Sequence, residues 1–103
     1  MQTTRSSYNS VNVSCLVDHT FPRPVVSLHQ GQDRSRSRVP GVREVVDRYA
    51  DGAWRVIIFA VLEDATLQIE NLFECEMILP QTDFRLSRST IYSPSMFLLV
   101  LIN

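Results

Sequence analysis

Lysine is absent: all ten basic residues are arginine, a bias for which the sequence offers no physical explanation. Against eleven acidic residues they leave a net charge of −1. No excess of one sign asks for nucleic acid or an acidic substrate as partner. Histidine and cysteine each occur only twice. Neither His19 nor His29 stands in a Ser-His-Asp or Cys-His spacing that would activate a nucleophile. Two histidines and two cysteines that can pair with each other also make a poor zinc set. These scarcities argue against catalysis, a bound metal or any other cofactor.

Long apolar runs are missing as well. Met1 to Ser10 is polar and contains nothing resembling a signal peptide. The one uninterrupted apolar run near the C-terminus, Met96 to Ile102, has seven residues, against the roughly 20 needed to span a bilayer. The expectation is that the chain is a fragment. Residues 1–9 form a disordered or truncated segment, 10–94 the domain, and 95–103 a tail or the beginning of a cut-off transmembrane segment.

What is present is β-structure. The chain of 103 residues is 45% apolar and 20% charged, which suits one domain with one core. Val11, Val13, Cys15 and Val17 alternate with Ser10, Asn12, Ser14 and Leu16, a period-two strand with Cys15 on its apolar side. Phe21-Pro22 and Arg23-Pro24 then break the ladder, because proline donates no hydrogen bond. A short strand follows at Val25 to Gln30, with Val26 and Leu28 on one side. From Gly31 to Gly52 the chain reads as an irregular connection with short edge strands around Val42 to Val46.

Trp54 to Leu62 is the strongest strand. Trp54, Val56, Ile58, Ala60 and Leu62 form one face; Arg55, Ile57, Phe59 and Val61 form the other. Apolar residues on both faces call for cover on both. Asn71 to Ile78 puts Phe73, Cys75 and Met77 on one side and Glu74 and Glu76 on the other. Phe84 to Tyr92 is the last strand. About seven short strands, with a cysteine in each of two central ones, match a two-sheet antiparallel β-sandwich in which Cys15 and Cys75 meet across the core. A disulfide closing so long a loop stabilises by roughly 4 kcal/mol in the chain-entropy model. It also points to an oxidising compartment, the secretory route or the cell surface.

The motifs carry a resemblance. Ser14-Cys15-Leu16-Val17 followed by Phe21-Pro22-Arg23-Pro24-Val25 resembles the B-to-C region of antibody constant domains. Asp51-Gly52-Ala53-Trp54 is similar to the start of their E strand, and Phe73-Glu74-Cys75-Glu76-Met77 to their F strand. The resemblance covers roughly residues 10 to 92. It implies an immunoglobulin-like, constant-type sandwich of about seven strands with an incomplete strand A, and it implies a cis bond before Pro22. Leu28 stands where such domains carry the tryptophan that packs on the disulfide, and Trp54 is expected to fill part of that volume from the opposite sheet. Phe73 replaces the corner tyrosine, whose hydroxyl bond is worth about 1 kcal/mol. These losses imply marginal stability in isolation, with a variable-like domain upstream in the intact protein.

With Cys15 inward, Leu16, Ile57, Phe59 and Val61 belong on the outer face of the A-B-E-D sheet, the face by which antibody constant domains pair. An exposed apolar patch of this kind marks an interface. Asn12-Val13-Ser14 on the same face is an N-glycosylation sequon, so a glycan on Asn12 competes with protein pairing as the explanation of the patch. Elsewhere, His19 and His29 read as surface residues. Glu63, Asp64, Glu70, Glu74 and Glu76 read as a solvated face, since a calcium site would need convergent ligands in one loop. Arg34, Arg36 and Arg38 read as a solvated loop, since a single-strand nucleic-acid site would add aromatic stacking residues.

The expected function is that of a non-catalytic recognition or adhesion domain of a cell-surface or secreted protein, with another immunoglobulin-like domain as protein partner. A membrane contact through residues 96–102 goes with that reading. One rival is a spacer whose apolar face is covered by glycan. Another is an intracellular fragment that binds RNA through the Arg-Ser loop with both thiols reduced.

Overall fold

The computed structural model describes residues 2–7, 9–93 and 98–99. They form two antiparallel sheets packed face to face, with no α-helix among the described residues. In chain order the strands are β1 (Gln2–Ser7), β2 (Ser10–Thr20), β3 (Val25–Gln30), β4 (Ser37–Arg38), β5 (Arg43–Arg48), β6 (Trp54–Glu63), β7 (Asn71–Ile78), β8 (Arg85–Tyr92) and β9 (Leu98–Leu99). One sheet runs β5-β6-β2-β1-β9 and the other β4-β3-β7-β8.

The two-residue period of β2 and β6 decides which side chains meet between the sheets. β2 buries Val11, Val13, Cys15 and Val17, and β6 buries Val56, Ile58 and Ala60 beside them. From the opposite sheet come Val26 and Leu28 of β3, Phe73, Cys75 and Met77 of β7, and Tyr92 of β8. Cys15 and Cys75 are disulfide-bonded across this core, with Cα atoms 6.0 Å apart. Leu28 lies directly opposite Cys75 in the β3–β7 ladder and is the apolar plug beside the bridge. The Phe21–Pro22 peptide is cis.

Three features differ from expectation. First, Gln2–Ser7, within the segment read as disordered or truncated, runs as a strand along β2, from Gln2 opposite Ser14 to Ser7 opposite Ser10. Main-chain hydrogen bonding to the otherwise open edge of β2 needs no apolar alternation, so polar composition did not announce it. Second, Leu98–Leu99 pairs with β1. Residues 94–97 and 100–103 lie outside the described residues, and with them most of the expected tail at 95–103.

Third, the connection after β3 is more ordered than its composition suggested. A 3-10 turn at Asp33–Ser35 leads into β4. Gly31 opens this turn at φ +91°, where a Cβ would come to 2.5 Å from the Ser35 carbonyl oxygen. Only glycine fits such a position without strain. The edge strand expected around Val42 to Val46 is β5, which pairs with β6 from Arg43 opposite Phe59 to Arg48 opposite Trp54.

Candidate functional site

The outer face of the β5-β6-β2 sheet is built from residues that alternate with the core. In the ladders Val45, Ile57 and Leu16 form one row across three strands. Arg43, Phe59 and Ser14 form the next row, and Val61 stands opposite Asn12 in the one after. Val45 is 46% and Val61 57% exposed, whereas Leu16, Ile57 and Phe59 are half-buried by their strand neighbours. Five apolar side chains therefore share one outward surface. A recess of about 340 Å³, lined by Gly41, Arg43, Phe59 and Val61, indents it. Asn12 of the sequon is itself half-buried on this face, and its Oδ1 has no hydrogen-bond partner among the described residues.

The middle of the other sheet's outer face is charged and self-paired, between the apolar pairs Val25–Ile78 and Leu72–Ile91. Glu74 and Glu76 of β7 project on the same side as Ser27 and His29 of β3, their ladder partners. Arg36 reaches over from the turn before β4. One of its guanidinium nitrogens is 2.6 Å from Glu74 Oε1 and 3.8 Å from Glu76 Oε2. Arg85 of β8 completes the group at 3.1 Å from Glu76. The acidic residues of β7 are thus partly buried members of an ion-pair network, and only in part the solvated face that alternation suggested.

His29 is corrected by the same network. It is buried, only 7% exposed, with its Nε2 3.1 Å from the Ser27 hydroxyl. Its ladder neighbours are Arg38 of β4 and Glu74 of β7, which Arg36 engages, at a position that strand parity assigns to solvent. Burial, and then the nearby Arg36 charge, hold the imidazole pKa below its ordinary value. His19 does sit at the surface, 2.8 Å from Asp51 Oδ2. The Asp51 carboxyl lies below the usual carboxylate range, chiefly because it accepts the Ala53 N–H at 2.9 Å and secondarily because of His19.

Trp54 also departs from expectation. Its position on β6 has the parity of the core residues, yet it lies at the strand end and is not fully buried. It is half-buried, with the guanidiniums of Arg48 and Arg23 at 4.9 Å and 5.6 Å from the ring centroid. Leu28, opposite Cys75 in the ladder, is the buried apolar residue beside the disulfide, and Phe73 and Tyr92 belong to the same core. Tyr92, almost fully buried near the C-terminal end of β8, is a core residue that the alternation of that polar strand did not single out.

No protein-family model matches the chain, and no curated protein matches it in sequence. The class defined by the coordinates is an all-β, two-sheet antiparallel sandwich with a disulfide between the sheets. Among the described residues there is no group of three or more histidine, cysteine or acidic side chains placed to hold a metal ion. Nor does any described helix have the length and apolarity to cross a membrane.

Proposed function

We propose that this chain is a constant-type immunoglobulin-like recognition domain, without chemistry of its own, that acts through protein–protein contact. The observation that carries the reading is the row Val45–Ile57–Leu16, flanked by Phe59 and Val61, on the outside of a sheet whose inside is already a complete core. Side chains of this size are worth about 1.5 to 3 kcal/mol each when fully buried. Leaving several uncovered on one face therefore favours association. The ladder of β5, β6 and β2, in unbroken register from Ser10 to Val17 on β2, suits a second sheet of the same kind, so another immunoglobulin-like domain is the partner of choice. The disulfide supports an oxidising location, at the cell surface or outside the cell.

A second reading is favoured by one placement. Asn12 stands opposite Val61 on the same face, so a glycan on its amide nitrogen would lie over the apolar row and make the domain a spacer. The RNA-binding reading has less support, because Arg36, the middle arginine of its loop, is engaged by Glu74 and Glu76.

Sedimentation of the secreted chain before and after enzymatic deglycosylation tests the first reading against the second. Self-association, or pairing with a co-expressed immunoglobulin-like domain, that disappears in Phe59→Glu supports the interface. An Asn12-linked glycan on a chain that pairs with nothing until the glycan is removed supports the spacer. Persistence of pairing in Phe59→Glu, with the disulfide intact, overturns the interface reading.

A further inference from the structure

The end of the sandwich formed by the β2–β3 and β5–β6 connections has a different chemistry from either sheet face. Arg48 and Trp54 close the β5–β6 ladder as its last cross-strand pair, which brings the guanidinium over the indole. Arg23, from the β2–β3 connection, approaches Trp54 as well and is anchored 3.1 Å from Glu44 Oε1. The neighbouring acids are already engaged. Asp51 accepts from Ala53 and faces His19, and Asp18 accepts the Tyr49 hydroxyl. The Arg48 side chain is exposed and, apart from its stacking on Trp54, forms no ion pair or hydrogen bond with the described residues. It is therefore a cation held in place without an anion.

Apolar surface lies next to it. Phe21 is 70% exposed, the most open aromatic ring among the described residues. A Cβ placed on Gly52 would be 3.9 Å from both Phe21 Cε2 and an Arg48 guanidinium nitrogen. The phenyl ring and the cation thus flank the bare Gly52 backbone. A stacked guanidinium loses less freedom on binding a carboxylate than a waving one does, and its fork matches carboxylate geometry. Trp, Arg and an exposed aromatic are also the composition of binding hot spots.

We propose that Phe21, Arg48 and Trp54 form a docking site for an acidic protein segment. The segment's carboxylate pairs with Arg48, and an adjacent apolar side chain covers Phe21. This site lies at the loop end and does not depend on the apolar sheet face described above.

Trp54 is the only tryptophan in the chain, so its emission reports the site directly. The probe is an end-blocked, dye-labelled pentapeptide alternating glutamate with leucine, compared with the same peptide carrying glutamine for glutamate. Peptide anisotropy reads binding, and Trp54 emission reads location. The acidic peptide is expected to bind with a saturable change in Trp54 emission. The glutamine peptide, and the acidic peptide on Arg48→Gln, are each expected to bind at least about tenfold more weakly, as for loss of a charge-assisted pair. Arg48→Lys should fall between, because a compact ammonium keeps the charge and loses the planar fork. Phe21→Ser should weaken binding without removing the preference for glutamate.

Equal binding of the two peptides, full binding by Arg48→Gln, or binding that leaves Trp54 emission unmoved overturns the proposal. A response to heparin with none to the acidic peptide overturns it too, and assigns the site to a sulfated polysaccharide. The Arg48 side chain is exposed and makes no ion pair or hydrogen bond with the described residues, so far-ultraviolet circular dichroism of Arg48→Gln should match the unaltered chain. That keeps a folding defect distinguishable from lost binding.

Discussion

The two outer faces of this sandwich handle their surface in opposite ways. On β5-β6-β2 the outward side chains include Leu16, Val45, Ile57, Phe59 and Val61, of which Val45 and Val61 are exposed and the other three half-buried. On β4-β3-β7-β8 the middle of the outward face carries Ser27, His29, Glu74 and Glu76, with Arg36 and Arg85 folding back to neutralise the carboxylates, and the apolar pairs Val25–Ile78 and Leu72–Ile91 stand at its two ends. One face has apolar side chains at its centre; the other pairs its central charges internally. A face that has already paired its charges gains little from a partner, since breaking ion pairs to make new ones roughly cancels. The difference is one of arrangement: the apolar row is continuous at the centre of the β6 face, whereas on the β7 face a paired charged band separates the apolar ends.

The largest effect expected from this comparison lies between neighbours in sequence. Ile58 is almost fully buried and Phe59 points outward. Ile58→Ala should cost about 2 to 4 kcal/mol in chemical denaturation, the range for a truncated core side chain. Phe59→Ser, measured on monomer, should cost about 1 kcal/mol or less, as at a surface position. Comparable losses would mean that Phe59 is core, and the apolar face would vanish with the register that creates it.

A smaller effect separates the faces by mechanism. Arg36→Gln removes the guanidinium shared by Glu74 and Glu76. Both partners are partly exposed, so the loss should be roughly 0.2 to 1 kcal/mol, as for measured surface pairs. Since such attraction is screened, that loss should shrink in 1 M salt, where the Debye length is about 3 Å. The loss for Phe59→Ser should not shrink under the same conditions. An Arg36→Gln penalty that ignores salt would show that Arg36 acts by packing its stem on the sheet, and the charged face would resemble the apolar one more than its composition implies.

How much of this was legible in the sequence follows from what a one-dimensional pattern records. Period-two alternation fixes faces, so the sandwich, the inward Cys15 and Cys75, and the outward Leu16, Ile57, Phe59 and Val61 were all readable from β2, β6 and β7. Alternation does not record what lies over a face. Parity assigns His29 to solvent, yet it is buried, with Arg38 of β4 as its ladder partner on one side and Glu74, paired to Arg36, on the other. Alternation also cannot say how a strand end is covered, which is why Trp54, with core parity, stands half-buried at the strand end beside two arginines. The pairing of β1 was illegible for another reason: its hydrogen bonds are made by the main chain, which every residue supplies alike. The loop-end cluster of Phe21, Arg48 and Trp54 draws on three separate segments, and no local spacing signals it.

The smallest expected effect tests the charged face through His29. Burial in the β3–β7 ladder, together with Arg36 and secondarily Arg38, disfavours the imidazolium there, while Glu76 and Glu74 oppose them. The net result is a pKa below the ordinary value of 6.5. Between the lowered value and 6.5 the unfolded chain binds a proton that the folded chain does not. Stability therefore rises with pH through that interval. His29 contributes no penalty above about 6.5, a growing one as the pH falls below it, and a constant one below the folded-state pKa. Urea midpoints at pH 7.5 and 5.5 should show the unaltered chain less stable at the lower pH, and His29→Gln should lose that component of the difference. If the midpoint does not move, or moves equally in His29→Gln, the imidazole is as accommodated by Glu74 and Glu76 as it is repelled by Arg36. In that case the charged face is balanced at His29 as well, and its contrast with the apolar face rests on the carboxylates alone.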